Sequence, residues 1–354
     1  MTHAPDFRLG HVEFYVADLA AASAELTDHY GFRPVARAAT AEADSLALRQ
    51  GRITLVLTQA RTDDHPAARY VRAHGDGVAD IALTVTDVFV AFGAAVARGA
   101  VAVAPPYRHA DGRTTAVIEG FGDVVHTLTE AGGDFAVPPG FTPVEDADAA
   151  GAGELLTELD HFAICIEAGE LDRTVEHYTR VLGFRTIFTE LIRVGAQAME
   201  SQVVQSASGE ITLTLIQPDA TAEPGQINRF LERHGGPGVQ HLAFTATDIV
   251  EAVGTLQKRG VDFLTAPEAY YTLLAGHLDL TRHTIAGLRE LNVLVDEDQD
   301  GQLFQIFTRS THPDSTLFYE VIERFGARTF GSGNIKALYE AVEAERLASE
   351  GVSL

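Results

Sequence analysis

Two histidines and one glutamate carry the most chemical information in this sequence. His161 lies in Leu159-Asp-His-Phe-Ala-Ile-Cys-Ile166, where strand alternation puts His161, Ala163 and Cys165 on one face and Phe162, Ile164 and Ile166 on the other. The segment around His241 is built alike, with His241, Ala243 and Thr245 opposing Leu242 and Phe244. In both, the large apolar set would pack on helices and the small set, with its histidine, would face a cavity. Glu320, in Thr316-Leu-Phe-Tyr-Glu-Val-Ile322, shares a strand face with Phe318 and Ile322. A carboxylate flanked so closely by apolar side chains needs a partner, and a divalent cation is a natural one. Two neutral imidazoles and one carboxylate leave coordination positions open on the metal, as in non-haem Fe(II) oxygenases. Either histidine alone reads more simply as a structural residue; their matched positions in a repeat are what pair them.

That repeat organises the chain. Leu9-Gly-His-Val-Glu-Phe-Tyr-Val16 resembles the His161 segment, and each is followed by apolar residues at helical spacing: Leu19, Ala22, Leu26 and Tyr30, then Leu171, Val175, Tyr178 and Leu182. Both helices should stop at a glycine, Gly31 and Gly183. A second pair, His74-Gly-Asp-Gly-Val-Ala-Asp-Ile-Ala82 and Gly236-Pro-Gly-Val-Gln-His-Leu-Ala243, precedes helices ending at Gly99 and Gly260. Alternating runs such as Ile53-Thr-Leu-Val-Leu57, Ile211-Thr-Leu-Thr-Leu-Ile216 and Leu303-Phe-Gln-Ile-Phe307 read as strands. The chain is therefore four strand–helix–strands units starting near residues 9, 77, 159 and 238, an α+β protein of two domains. The expected division is 1–137, a linker at 138–157 rich in proline, glycine and acids, and 158–354 with an amphipathic C-terminal helix from Asn334 to Leu347. In the N-terminal half His11 matches His161 but Asp80 matches His241, and no counterpart of Glu320 is evident, so that half reads as a retired site. Asp296-Glu-Asp-Gln-Asp-Gly301 lacks a full calcium-loop pattern and reads as a solvated acidic turn.

Composition narrows the partners. A chain of 354 residues with 46% hydrophobic content can bury substantial cores, and its formal charge of −24 argues against nucleic acid and anionic lipid. Cys165 is the only cysteine, so no intramolecular disulfide forms. No export signal and no apolar run of the roughly 20 residues that a membrane helix needs can be read, so a cytoplasmic protein is expected. The oligomeric state stays open, a homodimer included.

Four further segments, Gly238-Val-Gln-His-Leu-Ala243, Gly301-Gln-Leu-Phe-Gln-Ile-Phe-Thr308, Phe318-Tyr-Glu-Val-Ile-Glu-Arg324 and Phe330-Gly-Ser-Gly-Asn-Ile-Lys-Ala-Leu338, stand in an order and spacing that resemble the 4-hydroxyphenylpyruvate dioxygenase family of the vicinal oxygen chelate superfamily. The resemblance covers nearly the whole chain. It implies four βαβββ modules paired into two domains, half-open barrel sheets with outer helices, and a C-terminal helix over the pocket. It implies one Fe(II) per chain held by His161, His241 and Glu320, with 4-hydroxyphenylpyruvate and O2 as substrates. It also implies that Ser201, Gln226, Gln305 and Phe330 line the substrate pocket. Gln305, between Leu303 and Phe307 on a strand, already reads as a buried amide seeking a partner.

The sequence departs from the ring-hydroxylating members of the family. Those members have proline where Thr214 stands, asparagine where Ile216 stands and phenylalanine where Ile335 stands. Thr212, Thr214 and Ile216 share one strand face, so two of the substitutions alter one pocket wall. Losing an aromatic surface and an amide anchor should reseat the substrate ring. The expected outcome is hydroxylation at the benzylic carbon, giving 4-hydroxymandelate and CO2; attack at ring carbon C1, giving homogentisate, is the alternative. A non-catalytic binding protein of the same fold is a further alternative. The resemblance also implies a secondary-metabolic role, supplying hydroxymandelate for peptide antibiotics.

Overall fold

A computed structural model describes residues 6–130, 137–144, 154–274, 278–329 and 333–334. The N-terminal sheet contains β1 (Arg8–Tyr15), β2 (Arg33–Ala39), β3 (Ala43–Gln50), β4 (Ile53–Ala60), β5 (Gly77–Val85), β6 (Ala102–Arg108), β7 (Thr114–Phe121), β8 (Val124–Glu130) and β9 (Thr142–Pro143). The C-terminal sheet contains β10 (Leu156–Cys165), β11 (Arg185–Val194), β12 (Gln197–Gln205), β13 (Thr212–Pro218), β14 (Gly238–Ala246), β15 (Leu294–Glu297), β16 (Gln302–Phe307) and β17 (Phe318–Phe325). Their orders are β6-β7-β8-β5-β1-β4-β3-β2-β9 and β11-β12-β13-β10-β14-β17-β16-β15. In every module the first strand runs parallel to the last, as β1 with β4, β5 with β8, β10 with β13 and β14 with β17. Two modules meet through their first strands, antiparallel, in each half. The four expected βαβββ units are thus present as two curled mixed sheets.

Each first strand leads into a helix: α1 (Leu19–Ala24), then, past α2 (Pro66–His74), α3 (Val88–Ala97); in the second half α4 (Leu171–Glu176), then, past α5 (Gln226–His234), α6 (Ile249–Lys258). Asp18, Asp87 and Asp248 accept a first-turn amide and fix where three of these helices begin. The helices after β1 and β10 finish in π-helical turns, Glu25–His29 and His177–Leu182, which the regular apolar spacing did not reveal. Gly183 ends the second of these in the left-handed conformation, φ 74°, as its sequence position predicted.

Strand alternation separates two environments. Phe162, Ile164 and Ile166 join a large core with the helices, whereas Ala163 and Cys165 join a smaller inner cluster with Ile192, Met199, Ile216, Ile227 and Phe230. The large core runs through both halves, with Phe32 against Phe244 (ring centroids 5.9 Å) and Tyr30 against Tyr319 (5.0 Å). No helix among the described residues is long and apolar enough to cross a membrane.

The stretch expected as a linker, 138–157, begins and ends inside structure. Thr142–Pro143 pairs with β2, and β10 already starts at Leu156. Val137 and Phe141 pack on Val35, Ala36, Ala47 and Val56, a row of small side chains on the concave face of the N-terminal sheet. Two side chains of this stretch thereby occupy part of that face. Nearby, Asp80 lies across from Glu13, and the register places Thr127 opposite Ala82, where the other half has Glu320 opposite Ala243. Thr127 donates to Asp80 through its amide (2.9 Å) and its hydroxyl. A hydroxyl in place of the carboxylate accounts for the missing counterpart of Glu320.

Candidate metal centre

The pairing register brings the three expected ligands together. His161 faces Ala243 across β10 and β14, and Ala243 faces Glu320 across β14 and β17, so these residues form one rung. Ala163 and His241 form the next rung on the same concave face. The methyl of Ala243 is too small to separate the flanking side chains. His161 Nε2 stands 3.4 Å and His241 Nε2 3.3 Å from Glu320 Oε2, with the imidazole centroids 5.7 Å apart. All three are buried, Glu320 to 1% exposure. One oxygen between two imidazole nitrogens, with a ligand atom from each side chain within 4.8 Å of the others, is a donor set that could hold a metal ion.

Neighbouring groups orient the donors. Asp160 accepts from His161 Nδ1 (2.8 Å), which turns Nε2 toward Glu320, and Arg324 clamps the same carboxylate through Nε (2.6 Å) and Nη2 (2.8 Å). Gln305 Nε2 donates to Glu320 Oε1 (2.6 Å), leaving Oε2 for the imidazoles, and Asn334 Nδ2 donates to Gln305 Oε1 (2.8 Å). The buried amide at Gln305 thus finds its partner in Glu320. Burial alone would raise the Glu320 carboxyl, but His161 and His241 outweigh it and hold it near 2. Burial likewise opposes a charged His161, yet Glu320 and Asp160 lift it to about 9. For His241 burial prevails and the pKa is lowered. Asp160 is held well below the carboxylate range because Arg324 and His161 overcome its burial.

The remaining expected pocket residues distribute along the concave face. Thr214 lies beside Ala163, and its buried hydroxyl has no hydrogen-bond partner among the described residues. Ile216 lies one rung deeper, between Cys165 and Ser201. Gln226 opens α5, whose Ile227, Phe230 and Leu231 close that end of the cavity. A surface cleft of about 1000 Å³ is lined by Asp160, Thr212 and Arg324, so it opens beside the ion pair that orients His161. Phe330, Ile335 and the expected C-terminal helix lie outside the described residues.

Two features were missed or misread. Asp160 adjoins His161, and simple alternation would send their side chains to opposite faces; a register shift between Leu159 and His161 lets them meet. The acidic turn is not merely solvated. Asp298 accepts from the amides of Asp300 and Gly301 through Oδ1 and from those of Arg328 and Thr329 through Oδ2, while Asp296 accepts from Gly333. It therefore anchors the segment that delivers Asn334. A second group of donors, Asp248, His283 and Glu323, lies on the helix side. There Glu323 is already satisfied by Arg282 (2.8 Å), His283 (2.8 Å) and the Ile249 amide (2.8 Å), so the cluster is an ion-pair network.

Paired βαβββ modules curled around buried metal-capable side chains define a protein of the vicinal oxygen chelate class. Residues 7–134 match the family model described as hydroxyphenylpyruvate dioxygenase, HPPD, N-terminal, and residues 160–276 match the glyoxalase/bleomycin resistance protein/dioxygenase superfamily. The 4-hydroxyphenylpyruvate dioxygenase of Xenopus tropicalis is 31% identical over 367 residues, covering 97% of this chain and 92% of the relative. That of Yarrowia lipolytica is 30% identical over 359 residues, covering 95% and 91%. A solved triple mutant of 4-hydroxymandelate synthase from Streptomyces coelicolor superposes with a TM-score of 0.89 at 46% identity, covering 97% of this chain and 99% of that one. The chain belongs to the 4-hydroxyphenylpyruvate dioxygenase family.

Proposed function

We propose that the chain is an Fe(II)-dependent dioxygenase that converts 4-hydroxyphenylpyruvate and O2 to 4-hydroxymandelate and CO2. The observation that carries the reading is the buried His161, His241 and Glu320 set at the head of a cavity whose inner wall is apolar at Ile216. The 46% identity to a 4-hydroxymandelate synthase supports the same product. Ferrous iron bound there would supply Lewis acidity for the α-keto acid and the redox chemistry with O2.

The chain's own residues do the rest. Asp160 and Arg324 hold the His161 ring, and Gln305 holds Glu320, so the donors need little reorganisation. Ser201, Thr214 and Gln226 supply polar anchors along the cavity, and Ile216 offers only apolar contact. Phe330 and Ile335 belong to the same pocket in this reading. With the ring so seated, the benzylic carbon rather than ring carbon C1 is held within reach. Both atoms of O2 would end in 4-hydroxymandelate, one in the new hydroxyl and one in the carboxylate formed from the keto carbon, while CO2 leaves with the oxygens of the original carboxylate. A cytoplasmic location and a place in peptide-antibiotic supply complete the reading, which holds for a monomer or a homodimer alike.

The test is product identification after incubating Fe(II)-loaded protein with 4-hydroxyphenylpyruvate and O2. 4-Hydroxymandelate is expected. Homogentisate as the main product, the outcome favoured by similarity to the named dioxygenases, would reject the benzylic assignment and keep the enzyme class. Absence of O2 uptake and of an absorption band on anaerobic mixing would favour a binding protein.

A further inference from the structure

Glu190 faces the inside of the cavity. It lies directly across from Ser201, which lies across from Ile216, which lies across from Cys165, so the four share one rung of the sheet. The next inward-facing residue of β11, Ile192, belongs to the inner apolar cluster, while Leu191 between them points outward and is exposed. Glu190 Oε2 is buried and has no hydrogen-bond partner among the described residues. No basic side chain shares its rung. A carboxylate oxygen withdrawn from water without a donor is costly, and the half-buried Glu190 keeps one oxygen in that state.

The position of the rung suggests the missing donor. Its Cys165 end lies two residues along the strands, about 6.6 Å, beyond the rung of Ala163 and His241, and Glu190 stands three strands from Cys165, roughly 14 Å along the surface of the curled sheet. An arylpyruvate whose keto acid end lies at the His161, His241 and Glu320 set would send its ring along this wall. A hydroxyl para to the side chain would then point across the concave face toward Ser201 and Glu190. A phenol is a donor that an acceptor-only carboxylate recognises, and an unsubstituted or methoxylated ring offers it nothing.

We infer that Glu190 is a specificity-determining residue, accepting the hydrogen bond of a para-hydroxyl on the substrate ring. The inference rests on the α-keto acid reading above and adds a selection among arylpyruvates.

Anaerobic calorimetry on the Fe(II)-loaded protein tests it by comparing 4-hydroxyphenylpyruvate with phenylpyruvate. The natural chain should favour the hydroxylated ligand by roughly 10- to 100-fold, as expected for a hydrogen bond to a charged acceptor. Glu190→Leu should shrink that preference to within about threefold while leaving phenylpyruvate bound as well or better, because the unpaired carboxylate is gone. Glu190→Gln, nearly isosteric and still an acceptor, should keep an intermediate preference. It also serves if the leucine variant melts early. Binding to the natural chain should shift the near-ultraviolet phenol band to longer wavelength, and Glu190→Leu should abolish the shift. An undiminished preference in Glu190→Leu or Glu190→Gln, or no preference in the natural chain, overturns the inference. Failure of the natural chain to bind either ligand would instead overturn the α-keto acid reading beneath it.

Discussion

Asp80 shows how one residue can mark a site that no longer needs its charge. It occupies the place of His241, but its neighbours are Glu13 and Thr127 rather than an imidazole and a ligating carboxylate. Burial, then the Glu13 carboxylate, raise its pKa from 3.8 to about 7. A carboxyl raised in the folded state keeps its proton where the unfolded chain releases it. Ionisation therefore costs nothing below pH 4, an increasing amount between pH 4 and 7, and its full value above pH 7. Asp80→Asn should raise stability at pH 8 by up to about 4 kcal/mol and leave it nearly unchanged at pH 4. Denaturant melts at the two pH values check this, and equal gains at both would show that charge is not the cause.

At the scale of elements, β14 is the strand on which the centre depends. It contributes His241 directly, and through Ala243 it sets the spacing between His161 on β10 and Glu320 on β17. The side chain at Ala243 is fully buried, so a larger one has nowhere to go except the space between the donors. Ala243→Leu should fold, at a cost of about 1–3 kcal/mol, and lose metal retention. Metal content after desalting, read beside circular dichroism, separates the two effects; retained stoichiometric metal would contradict the rung geometry. The alternation that identified the inward faces of β10 and β14 was legible because each face is chemically uniform. The register shift that joins Asp160 to His161 was not, since it changes no residue type and only one hydrogen-bond step. The acidic turn was misread for a related reason: its carboxylates bind backbone amides near Thr329 and Gly333, and amides carry no sequence signature.

For the whole molecule, the decisive feature is that one apolar core passes through both sheets. Tyr30 and Phe32 of the N-terminal half pack on Tyr319 and Phe244, and Tyr319 immediately precedes Glu320. The halves should therefore unfold together in a single transition. Metal at about 100 times its dissociation constant should move that whole transition, adding about 2.7 kcal/mol. Calorimetry with and without Fe(II) under argon decides, because independent halves would give two transitions with only one responding.

The sequence by itself determined the module count, the inward faces and the identity of the three polar residues that converge, because repeats and alternation are local patterns of residue type. Only the tertiary structure decided that Gln305 secures Glu320, that Arg324 reaches Asp160, that Val137 and Phe141 occupy part of the other half's concave face, and that Glu190 turns inward beside Ser201. Those depend on strand register and on chain segments far apart in sequence, and a one-residue slip in pairing would place every one of them elsewhere.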